Sequence, residues 1–96
     1  MANALYTLTI AGSIEPGRIE SVFKAPNIDW FRINSAIWFV STDLSARQIH
    51  ELIKPIAGDA NFVIMKSDPS DRYGWASKKF WEWLAERHPK RTRRAI

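Results

Sequence analysis

An α+β domain is what this sequence predicts, and three observations predict it. Apolar residues recur in four short strand-like runs at 4–10, 28–34, 36–42 and 61–65. Two segments, opening at Pro16 and at Ser45, instead place apolar residues three and four apart, the spacing of a helix face. A last helical stripe, Phe80, Trp83 and Leu84, follows the fourth run. The order is βαββαβ, that of a ferredoxin-like antiparallel sheet, with one C-terminal helix added. Such a fold hosts many unrelated activities, so function has to be read from the residues it carries.

In the first strand Tyr6, Leu8 and Ile10 share one face and Leu5, Thr7 and Thr9 the other. Gly12 and Ser13 break it. Pro16 and Gly17 then open a short helix whose stripe is Ile19, Val22 and Phe23, and Pro26 ends it. A two-residue turn at Asn34 and Ser35 predicts a hairpin in which Ile33 faces Ala36, Phe31 faces Trp38 and Trp30 faces Phe39. One hairpin face then carries Phe31, Ile33, Ala36, Trp38 and Val40; the other carries Ile28, Trp30, Arg32, Ile37 and Phe39. Both are apolar, so one packs on the helices and the other needs a second cover.

Ser45 and Gln48 fit a capping box at the head of the second helix, with Ile49, Leu52, Ile53 and Ile56 as its buried face. Pro55 should kink or end that helix, and Gly58 and Asp59 supply the stop. The segment 68–74 is rich in turn residues, and Tyr73 and Trp75 are expected to anchor it. The final helix should run from about Ala76 to His88, closed by Pro89.

Length allows one domain with one modest core, expected over residues 1–86, and a basic tail over 87–96. Five Trp supply ample surface to bury, and the absence of Cys excludes disulfides and thiolate metal sites, which fits a cytoplasmic protein. No apolar run approaches the roughly 20 residues of a membrane span, and Met1 to Ala4 shows no signal-peptide pattern. Charge is segregated. Arg87, Lys90, Arg91, Arg93 and Arg94 stand in the tail without an acid, whereas residues 1–86 hold nine Lys/Arg against ten Asp/Glu. A tail of that kind either grips phosphates or is a solvated terminus.

Neither His50 nor His88 has a His or Cys partner in the sequence, and both read as solvated helix histidines. Asp68 and Asp71 flank Pro69 and Ser70 and read first as turn chemistry, with a hard-cation site as the alternative; Asp43 reads as part of a helix entry. Trp30, Arg32 and Phe39, on one predicted sheet face, form either a homodimer face or a platform on which bases stack.

Taken together, several segments carry a resemblance. They are Leu5-Tyr-Thr-Leu-Thr-Ile10, the Trp-centred Ala36-Ile-Trp-Phe-Val-Ser-Thr42, Ser45-Ala-Arg-Gln-Ile-His-Glu-Leu52 with Lys54-Pro55, Phe62-Val-Ile-Met65, and Trp81-Glu-Trp83. The pattern resembles the compact ferredoxin-like proteins related to the CRISPR-associated adaptation nuclease, including solitary bacterial relatives labelled SinR. That resemblance implies a homodimer and, in the nuclease members, a metal ion held by an Asp at the end of the first strand. Here Ile10-Ala11-Gly12 stands at that place, with no carboxylate. The fold and the dimer therefore carry over as expectations, and metal-assisted cleavage does not. The leading expectation is a homodimer that binds RNA or DNA without catalysis and without a cofactor. One alternative is a diverged nuclease using Asp43, Asp68 or Asp71. The other is a protein-interaction module of a toxin–antitoxin or phage-defence system, covered by a different protein.

Overall fold

The computed structural model describes residues 3–89. The elements are β1 (Ala4–Ala11), α1 (Pro16–Val22), β2 (Ile28–Asn34), β3 (Ile37–Thr42), α2 (Ala46–Ala57), β4 (Asn61–Ser67) and α3 (Lys78–Arg87). The chain is therefore α+β, a four-stranded sheet with three helices. Strand order is β2-β3-β1-β4, and every neighbouring pair is antiparallel. Helices α1 and α2 each cross between parallel strands that have one strand between them.

Local chemistry accounts for the helix boundaries. Pro16 occupies the first helical position of α1, where its missing N–H costs nothing. At α2 the Ser45 hydroxyl accepts from the Gln48 amide (3.1 Å) while the Gln48 side chain accepts from the Ser45 amide (2.8 Å), so two orphan donors are satisfied. Pro55 lies inside α2, which continues to Ala57 before Gly58 closes it at φ +60°. Only Ile56 and Ala57 follow it in the helix, so the one bond that Pro55 cannot donate lies in the last turn and does not stop α2.

Cross-strand partners share a face, and the alternation in β1 sorts the sheet into two sides. On the first, Tyr6, Leu8 and Ile10 meet Trp38 and Val40 of β3, and Ile19, Phe23, Ile49 and Ile53 from α1 and α2 close over them. On the second, Leu5 and the half-buried Phe31 and Phe39 are covered by Phe80, Trp83 and Leu84 of α3. The second cover that the hairpin required is thus the chain's own last helix.

The hairpin register differs from the sequence expectation by one residue. Phe31 pairs with Phe39, Arg32 with Trp38 and Trp30 with Val40, with an irregularity between Arg32 and Asn34. The cause is Asn34. Its side-chain oxygen accepts from the amides of both Ala36 (2.8 Å) and Ile37 (2.9 Å), which moves the turn to Ser35 and Ala36. Ile33 then bulges, so the offset along the rest of the hairpin is one residue, enough to reassign every facing pair.

Candidate nucleic-acid interface

The segment between β4 and α3 is built from small local devices. The Asp68 carboxylate accepts from the Ser70 amide (3.0 Å) and hydroxyl (2.7 Å), closing a turn at Pro69. Arg72 then donates to the carbonyls of Pro69 (3.3 Å) and His88 (2.5 Å), tying the loop to the end of α3. Gly74 lies against the Trp81 indole, where an added Cβ would stand 3.6 Å from the ring. Ser77 caps α3 by accepting from the Phe80 amide (3.2 Å). Between these fixed points Tyr73 and Trp75 are fully exposed. They do not anchor the loop as the sequence suggested; Arg72 and Gly74 hold it, and the two rings stand outside.

Trp30, Arg32 and Phe39 do not form one surface. Trp30 lies half-buried on the α1/α2 side with its ring 5.2 Å from that of Trp38, and Arg32 sits 5.7 Å above the Trp38 ring. Phe39 is on the opposite side, its ring 5.0 Å from Phe80. The one-residue register difference separates them.

Of the five tail cations, only Arg87 falls within the described residues; Lys90, Arg91, Arg93 and Arg94 lie outside them. Arg87 is the last residue of α3, paired with Asp29 of β2 and stacked 5.1 Å from the Trp83 ring. Burial alone would lower its pKa, but the hydrogen bond and charge of Asp29, with a lesser contribution from Glu86, raise it. Trp83 also reaches Asp29 through its indole N–H (3.5 Å). Arg87 is therefore occupied in holding α3 to the sheet.

His88, expected to be solvated, is half-buried, and its Nε2 lies 2.9 Å from the hydroxyl of the buried Ser41. Burial first, then the charges of Arg72 and Arg87, push its imidazole below the ordinary value of 6.5. As pH falls through the unfolded value, the unfolded chain takes up a proton that the folded chain resists. The contribution to stability is thus present above pH 6.5 and lost below it. His88→Gln keeps a polar partner for Ser41 without titrating. It is expected to melt with a flatter pH dependence than the parent between about pH 7.5 and 5.5, and equal slopes in the two proteins would assign the acid loss to other groups. His50 is exposed and stacks on Phe62, with ring centroids 5.0 Å apart.

Asp43 accepts from the Asn27 side chain (3.2 Å), and Asp43 and Asp68 leave the same end of the sheet with β1 between them. Among the described residues no three His, Cys, Asp or Glu side chains gather closely enough to hold a metal. At the far end of β1, Gly12 has φ +128°, and a Cβ there would stand 3.1 Å from that of Ala60. A carboxylate side chain at Gly12 would strain the backbone as well as crowd Ala60. The open cleft beside it mixes Glu15 and Asp59 with Arg18. Among the described residues no helix is long and apolar enough to cross a membrane. No family model matches the chain, and neither a curated protein nor a solved structure matches it.

Proposed function

We propose that this chain is a nucleic-acid-associated binding protein that acts as a homodimer without catalysing a reaction. The observation that carries this reading is the segregation of charge. Residues 72–96 hold eight Lys/Arg against two acids, and residues 1–71 hold six against eight. A cationic end on an otherwise slightly acidic body attracts phosphates while the body does not. The ferredoxin-like reading of the fold belongs with this proposal. Taken from the β4 edge, the strand order is 4-1-3-2, with α1 and α2 packed together on one side. The dimer draws support from the β4 edge, where Val63 and Met65 are more than half exposed on the α3 side of the sheet. Kinship with the SinR-labelled relatives is part of the same reading, taken without their metal chemistry.

Fluorescence anisotropy of labelled single- and double-stranded RNA and DNA tests it, comparing the full chain with one ending at Pro89. That end point leaves Arg87 and His88 in their structural roles. Micromolar binding is expected. Loss of the four remaining tail cations should lower the salt slope by about 3. Failure to bind any of the four at low salt would overturn the proposal and leave a protein partner as the reading of the exposed apolar side chains.

A further inference from the structure

Tyr73 and Trp75 are the two most exposed large hydrophobic side chains among the described residues, well beyond Met65 at 65%. Their loop is fixed at both ends by Arg72 and Ser77 and rests in the middle on Trp81, so the rings project from a supported backbone. The flanking charge is one-sided. Arg72, Lys78 and Lys79 lie within residues 72–79, and no acid does; Asp71 precedes the group and Glu82, bridged to Lys78 at 3.5 Å, follows it. Lys78 and Lys79 also occupy the first turn of α3, which has no acidic residue there, and so stand against the helix dipole. Glu82 offsets Lys78, but Arg72 and Lys79 still leave positive charge in excess beside the two exposed rings, which suits a negatively charged occupant with flat apolar faces.

We propose that Tyr73 and Trp75 are a stacking site for the bases of single-stranded nucleic acid, with Lys78 and Lys79 at its phosphates. This rests on the nucleic-acid reading above and narrows it. Paired bases have both faces occupied by their neighbours in the stack and must be unstacked to admit a ring, so rings projecting from a loop favour unpaired bases. Stacking accepts any base, so recognition here tolerates sequence and is selective for strandedness.

The test uses fluorescein-labelled dT20, rU20 and a duplex of the same length, with the full-length chain and its Tyr73→Ala, Trp75→Ala and Trp75→Phe variants. Both rings are exposed, so the variants should keep the parent's unfolding midpoint. Each alanine variant is expected to weaken dT20 and rU20 binding by about 5- to 150-fold. Trp75→Phe should retain most of the affinity, the salt slope should not change, and duplex binding should stay at the parent's level. Parent binding with unaltered alanine variants would overturn this inference alone. An equal loss on duplex and single strand would also overturn it, because the rings would then not report strandedness. A parent that binds none of the probes would remove the wider reading with it. If Trp75→Ala instead dissociates a dimer in sedimentation while leaving dT20 affinity intact, the rings belong to a protein interface and the inference falls.

Discussion

Trp38→Ala is expected to cost about 3–5 kcal/mol of unfolding free energy, read as a drop of roughly 12 °C or more in melting temperature for a domain of this size. Trp38 has no exposed surface and sits on β3, a central strand, beneath α1 and α2. Phe23 meets its ring edge-on at 6.2 Å and Trp30 lies tilted against it at 5.2 Å, so truncation removes the piece that both rings pack on. A domain of about this length has only some 5–15 kcal/mol in total, and the loss would take a large part of it. Trp38→Phe separates two causes. Among the described residues the Trp38 indole N–H is buried with no hydrogen-bond partner, a defect worth roughly 1–3 kcal/mol. Phe removes that donor and keeps a ring against Phe23, so it should lie much closer to the parent than to the alanine variant. A Trp38→Phe midpoint as low as that of Trp38→Ala would show that the volume of the indole, not its orphaned donor, sets the balance.

What was legible in the sequence follows from what is local. The capping box at Ser45, the Pro16 start and the stripes of α2 and α3 rest on contacts between residues three or four apart, and all appear where spacing put them. The hairpin register was not legible, because it turns on where the Asn34 side chain sends its oxygen. Asn–Ser is compatible with a two-residue turn at that pair or with one shifted along the chain. That single choice decided whether Trp30 and Phe39 share a face, and hence which surface looked available to a partner. The site suffered more than the fold. Arg87 reads as a tail residue until Asp29, 58 positions away, is found beside it. Tyr73 and Trp75 read as anchors because large aromatic side chains are well buried on average; the hydrogen bonds of Arg72 and the placement of Gly74 on Trp81, neither visible in the sequence, hold the loop without them.

Phe80→Ala is expected to release α3 ahead of the rest of the domain. Phe80 is the hub of the second core, with ring centroids 5.4 Å from Phe31, 5.0 Å from Phe39 and 5.1 Å from Trp81. The first core lies on the other side of the sheet and shares none of these contacts. Losing the ring should cost about 3–5 kcal/mol of the free energy that holds α3 down, so amides of α3 should exchange roughly two to four orders of magnitude faster. The amides of β1 and β3 should keep the slower rates of the parent, because the α1/α2 side still closes over them. Loss of protection spread evenly over α3, β1 and β3 would instead make the helix part of one cooperative unit with the sheet. The consequence for binding follows from the loop. Trp81 supports Gly74, and the carbonyl of His88 receives Arg72, so both supports of the Tyr73–Trp75 segment travel with α3. Phe80 is buried and touches no ligand, yet its truncation should weaken single-stranded binding while leaving the contribution of Lys90, Arg91, Arg93 and Arg94 to the salt slope in place. A variant whose α3 exchanges fast but which binds dT20 as the parent does would show that the rings need no fixed loop to stack.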